Sequence, residues 1–348
     1  MKCNDGSVHS PTCMKPFFHR LREERRDMFQ TRITEMFGIR YPIVVGTMMH
    51  LSGAEMVAAA SNAGALGVMA SAMFPTKEDF RKEVQKAKDL TDKPFAVNLN
   101  FFPAMRQIDN REYLEAIVEE KVRIVETSGH KAPEEVAEDL KRQGISLVHK
   151  CVGVRHALKA QAIGADAVTV VGYENGGATG VLDVTTLCVV PRVVDALQVP
   201  VIGGGGVADG RGFLAMLALG AQGVIIGTAA LVAEECPIHS NLKKSLLEAT
   251  ELDTMILMRS IQNSHRVWMN RAARKVADLE NRQAGLAEIV KAAGGEKTRR
   301  MYQEGDIHAG VMPCGQSVGL VKKIMPMKDI IEGIIVGADA LRQNLAML

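Results

Sequence analysis

Between Tyr41 and Glu235 eight short apolar runs alternate with helix-period segments, and the last two runs end in glycine-rich turns. Such alternation predicts parallel strands joined by crossover helices. Eight units of this kind predict an α/β protein built as a TIM (β/α)8 barrel with an inserted helical extension. The alternative, a doubly wound open sheet, is disfavoured because no G-x-G-x-x-G follows the first apolar run.

Residues 1–30 are polar and have no core-forming run, so they are read as a flexible N-terminal extension. The barrel is expected over 31–236. Its first strand, 43–45, is Ile-Val-Val and runs into Gly46-Thr47-Met48. The next strands are expected at 66–69, 95–98, 123–126, 146–149, 167–171, 201–203 and 224–226. Their aliphatic and β-branched content suits strands buried on both faces. Between them, apolar residues recur at three- and four-residue spacing, which predicts helices at 54–62, 77–90, 134–143, 155–163 and 212–219. Residues 237–304 turn strongly charged and read as a helical extension over one barrel face, with helices at 240–249, 263–280 and 286–292. Residues 305–348 supply a Gly-rich loop with the composition of an active-site lid, or equally of a surface loop, and a returning helix at 327–345.

Composition narrows the partners. The net charge of +2 is too small for a nucleic-acid groove or a polybasic membrane patch. No apolar run reaches the ~18 residues needed to span a bilayer, and the N-terminus has no secretory h-region. Small-molecule substrates, a cytoplasmic location and a possible homodimer are therefore expected. The six cysteines are widely spaced, as reduced thiols are. Cys3, His9, Cys13 and His19 match no zinc-module spacing, so no metal is expected.

The chemistry is expected at the C-terminal strand ends. Gly203 to Gly206, followed by a helix starting near Asp209, and Gly227-Thr228 after the next strand read as a phosphate cradle. Bare backbone lets amides approach an anion, and a helix N-terminus adds positive potential. The other strand-end candidates are Gly46-Thr47-Met48, Asn98, Glu126, His149-Lys150, and Glu174 with Gly176-Gly177. Lys150 suits an electron-rich atom such as the N1/C2 edge of a reduced flavin, or else a barrel-mouth ion pair with Glu126 or Glu174. Asn98 can read a ring system, or tie down the Phe101-Phe102-Pro103 turn. Glu126 can cap its own loop, and His156 reads as a packing residue. Met48 and Met49 suit either an aromatic ligand or core filling.

These residues resemble the FMN-dependent nitronate monooxygenase family, formerly 2-nitropropane dioxygenases. The resemblance runs from about Thr31 to the C-terminus, through Pro94-Phe-Ala-Val-Asn-Leu99, His149-Lys-Cys151, Gly203-Gly-Gly-Gly-Val-Ala-Asp-Gly210 and Gly223-Val-Ile-Ile-Gly-Thr228. Val125-Glu-Thr-Ser-Gly129 with 148–159 most resembles the branch containing NADH:quinone reductases. The resemblance implies an FMN phosphate on Gly204, Gly205, Gly227 and Thr228. It places Gly46, Thr47, Met48, Asn98 and Lys150 around the ring and Gly177 near the reactive edge. One departure stands out: the family pattern Glu-Ala-Gly-Gly-His-x-Gly appears here as Glu174-Asn-Gly-Gly-Ala-Thr-Gly180, with Ala178 in place of the histidine. An alanine cannot move a proton. The expected activity is therefore NAD(P)H-dependent, FMN-mediated reduction of a quinone-like or conjugated acceptor. Nitronate monooxygenase, FMN-dependent enoyl-acyl-carrier-protein reductase and a flavin carrier without turnover are the alternatives. If a base is needed, Glu174 and His308 on the Gly-rich loop are the candidates.

Overall fold

The computed structural model describes residues 28–102, 109–129 and 132–347. The Cys3/His9/Cys13/His19 segment and Pro103 lie outside them. Helix α1 (Arg32–Phe37) precedes β1 (Ile43–Val45), α2 (Ala54–Asn62), β2 (Leu66–Ala70), α3 (Lys77–Leu90), β3 (Ala96–Asn100) and α4 (Asn110–Glu119). Then follow β4 (Ile124–Ser128), α5 (Glu134–Arg142), β5 (Ser146–Cys151), α6 (Val154–Ala162) and β6 (Ala167–Val171). A two-residue strand, β7 (Gly177–Ala178), leads to α7 (Thr186–Ala196), β8 (Val201–Gly204), α8 (Gly210–Ala218) and β9 (Gly223–Ile226).

Strands β1 to β6, β8 and β9 close into a parallel barrel, with β9 pairing back onto β1 through Val45 and Ile226. This is the TIM barrel expected from the sequence. Period-two alternation explains its two cores. Val44, Val68, Ile124, Val148, Val171 and Ile202 fill the interior, and Ile33 and Phe37 of α1 pack against this cluster. Neighbouring strand residues such as Ile43, Val45, Val97, Val125 and Val170 face outward into a second layer shared with the helices.

Two expectations are corrected. The helix expected at 263–280 is strand over 265–268 and helix only from 271. Residues β10 (Thr254–Leu257) and β11 (His265–Trp268) form an antiparallel hairpin that β7 extends to three strands. Helix α10 (Arg271–Asn281) starts only at Asn270, whose side chain accepts from Ala273 N. Met258 and Gln262 take positive φ of 61° and 54° in the turn, which breaks a helical path there. Helices α9 (Ser240–Glu248), α11 (Leu286–Ala293) and α12 (Gly295–Glu304) complete the region, and α13 (Met327–Leu345) returns along α8.

The Gly-rich segment after 305 is a wall and not a free-standing lid. Val311, Met312 and Cys314 are buried. Trp268 N donates to Met312 O, and Cys314 N donates to Arg266 O, so the segment runs along β11 like a further strand. No helix among the described residues is long and apolar enough to cross a membrane.

Candidate active site

A cavity of about 800 Å³ opens at the C-terminal end of the barrel, roofed by the small sheet and the 311–317 wall. That size lies within the range of ordinary ligand pockets, toward its upper end. Gly46, Thr47, Met48, Asn98, Lys150, Glu174, Gly177, Thr228, Gly205 and Gly227 all line it. Gly204 and His308 do not.

One end is a cradle of bare backbone. The main-chain amides of Gly205, Gly206, Gly227 and Thr228 donate to no other group among the described residues. Gly205 sits at φ +96°, and a Cβ there would lie 2.6 Å from Thr186 Oγ1, so only glycine fits. A Cβ on Gly227 would meet nothing within 4 Å, so its face is open to the cavity. Thr228 Oγ1 accepts from Gly315 N at 2.9 Å, which leaves its own hydroxyl hydrogen to donate. Converging free amides with a hydroxyl donor are the chemistry that holds a phosphate.

Two details of the expected cradle change. Gly204 is packed within the barrel, where a Cβ would stand 2.3 Å from Ile225 Cγ2, and Gly206 takes its place on the cavity wall. The α8 N-terminus is already satisfied, because Asp209 accepts from Arg211 N at 2.9 Å and Gly212 N at 3.2 Å. The positive potential comes from loop amides instead.

The carboxylates are structural. Glu126 is buried, accepting from Thr47 Oγ1 at 3.0 Å and Asn98 Nδ2 at 2.8 Å, so it ties the ends of β1 and β3 together and does not cap its own loop. It thereby fixes the Asn98 amide with its nitrogen occupied. The 101–102 turn is held by Asn100, whose Oδ1 accepts from Phe102 N at 3.1 Å. Glu174 Oε2 accepts from Thr186 N at 2.9 Å and Thr186 Oγ1 at 2.6 Å, which caps α7. His308 stands outside the cavity, where its Nδ1 accepts from Arg271 N at 3.5 Å at the start of α10. Neither Glu174 nor His308 is placed as a free base.

Lys150 is half-buried on the cavity wall, and among the described residues its ammonium makes no ion pair with Glu126, Glu174 or any other carboxylate. Neighbouring His149 faces the opposite way, against Thr127 Oγ1 at 2.9 Å. Burial, with a smaller contribution from His156, lowers its pKa to about 4, so it stays neutral. Burial pushes the Cys151 thiol up to about 12, too high for a thiolate at neutral pH. The site is therefore a cavity with open backbone amides at one end and, on its wall, the Lys150 ammonium with no carboxylate partner among the described residues.

A further histidine, not among the expected site residues, belongs to the cavity wall. His265 of β11 lines the cavity directly opposite Ala178 of β7. The sequence carries no period-two strand signal there, since His265 and Arg266 are both polar and Val267 and Trp268 both apolar.

A family model described as nitronate monooxygenase matches residues 30–337. The chain is 33% identical to a (3aS,4S,5R,7aS)-5-hydroxy-7a-methyl-1-oxo-octahydro-1H-indene-4-carboxyl-CoA dehydrogenase of Rhodococcus jostii, over 90% of this chain and 96% of that one. It is 32% identical to a probable nitronate monooxygenase of Staphylococcus haemolyticus, over 66% and 75%. The solved structure of FabK from Thermotoga maritima superposes with a TM-score of 0.84 at 32% identity, covering 91% of this chain and 98% of that one. Barrel, cavity and relatives agree, and the chain belongs to the nitronate monooxygenase family of oxidoreductases.

Proposed function

We propose that the protein is an FMN-dependent oxidoreductase that takes hydride from NADH or NADPH and reduces a quinone-like or conjugated carbonyl acceptor. The observation that carries this reading is the cradle of free amides at Gly205, Gly206, Gly227 and Thr228 with the unpaired Lys150 in the same cavity. The cradle suits one terminal phosphate, and FMN, when bound, supplies reversible two-electron hydride chemistry. Gly46, Thr47, Met48 and Asn98 would hold the ring, with Glu126 fixing which Asn98 atom is presented to it. Lys150 supplies positive charge for the reduced, anionic cofactor. The 311–317 wall limits water access to the cavity.

Ala178 weighs against proton abstraction from a neutral nitroalkane by a group at that position. A second acceptor class, conjugated acyl thioesters, is favoured by the mouth of the cavity. Val181 and Leu182 line it while remaining 55% exposed, an apolar lip suited to an acyl group. The carboxyl-CoA name of the Rhodococcus relative points the same way.

The test is anaerobic mixing with NADH or NADPH, followed by menadione or crotonyl-CoA. The flavin absorbance should bleach and then return on addition of one acceptor. A flavin that neither nicotinamide bleaches would mark a carrier instead.

A further inference from the structure

Reduction of a conjugated acceptor needs a proton as well as a hydride, and the small sheet places one group to give it. In the β7–β11 pairing, Ala178 lies opposite His265 and Gly177 opposite Arg266. Residues directly opposite on antiparallel strands share a face. Thr179 N donates to Ser264 O at 3.1 Å, which makes that pair the hydrogen-bonded one. By alternation Ala178 and His265 form the non-hydrogen-bonded pair, where side chains approach most closely. Along β11, His265 and Val267 line the cavity. Arg266 turns away and donates to Tyr173 O and Thr254 Oγ1.

We propose that His265 is a catalytic proton donor to the acceptor, working across the sheet from the methyl group of Ala178. Its Nδ1 lies 2.7 Å from Asn263 O, and a carbonyl only accepts, so Nδ1 carries hydrogen and Nε2 is the atom that exchanges a proton. The two cavity carboxylates serve the fold, Glu126 through Thr47 and Asn98 and Glu174 at the start of α7. His50 sits at the rim beside Arg299 and Glu296, where burial and then Arg299 lower its pKa.

The step rests on the NAD(P)H-dependent reduction proposed above. A hydride equivalent originating in the nicotinamide forms the new C–H bond at the β-carbon of the acceptor, and its C=C π bond breaks. The Nε2 proton of the imidazolium goes to the α-carbon or the carbonyl oxygen. The nicotinamide is oxidised, the acceptor is reduced by two electrons, and His265 is left neutral and recovers its proton from water.

The test separates the half-reactions in wild type, His265→Gln and His265→Asn. Each protein is reduced anaerobically with NADH or NADPH and mixed with menadione, which takes up protons, or with ferricyanide, which takes electrons alone. Reoxidation by menadione should slow on the order of 10²-fold in the variants, as for loss of a general acid, while reoxidation by ferricyanide stays within about twofold. Adding Ala178→His to His265→Gln should recover at least ~10-fold of the menadione rate, because the imidazole returns to the same face. Equal effects on both acceptors, or none on menadione, overturn the role of His265. Failure of the wild type to bleach overturns the reading beneath it instead. A readout independent of turnover covers the case of variants that do not fold. In flavin-free wild-type protein, 4-nitrophenol should shift the His265 imidazole NMR signal, identified as the one that senses the Asn263 carbonyl. An unmoved signal at saturating 4-nitrophenol overturns the proposal.

Discussion

Gly227→Asp should give a folded protein that has lost most of its affinity for FMN. Gly227 has a negative φ of −134°, outside the left-handed region that demands glycine, and nothing lies within 4 Å of its added Cβ, so the new side chain meets no steric obstacle. The new carboxylate would occupy the open face of the cradle, repelling a phosphate and blocking the amides of Gly227 and Thr228. Charge-assisted hydrogen bonds are the strong ones, and losing about two should cost ~2–4 kcal/mol, or roughly 30- to 1000-fold in dissociation constant. Fluorescence titration of the flavin-free protein with FMN measures it. Riboflavin, which has no phosphate, should bind wild type and variant about equally. Gly205 and Gly204 are poorer probes because a side chain at either meets Thr186 Oγ1 or Ile225 at 2.6 or 2.3 Å, so loss of fold would obscure loss of ligand.

Lys150→Met should keep both fold and FMN content while slowing reduction by NAD(P)H on the order of 10²-fold, the usual effect of removing one preorganised charge or donor. The fold is expected to survive because the ammonium has no carboxylate partner among the described residues, so its removal strands no buried charge. Stopped-flow bleaching of the oxidised flavin absorbance reads the rate. An unchanged rate with full FMN content would remove Lys150 from the chemistry.

The barrel was legible because each strand carries its own local signal. Runs such as Ala167–Val171 are buried at every position, and burial on both faces demands the continuous apolar stretch that sequence shows directly. The glycine-rich turns were legible for a related reason, since consecutive glycines mark places where bare backbone approaches a ligand or a close neighbour. What could not be read is what depends on partners distant in sequence. Gly204 and Gly205 look alike in the chain, and only their neighbours Ile225 and Thr186 decide which faces the cavity. Glu174 resembles a free acid until α7 comes to rest on it. The three-stranded sheet joins residues 177–178 to 265–268, and β7 is too short to announce itself as a strand. Without that pairing, His265 reads as part of a helix, and His308, which faces α10, reads as the histidine of the Gly-rich loop.

If the cavity holds FMN by its single terminal phosphate, the chromophore that the protein carries will show it. The purified protein is heated, the released chromophore is separated by chromatography, and the stripped protein is titrated with FMN and with FAD. Non-covalent FMN is expected, recovered intact and rebinding to the stripped protein in preference to FAD. Recovery of FAD, or no flavin bound even at saturating FMN, would contradict it.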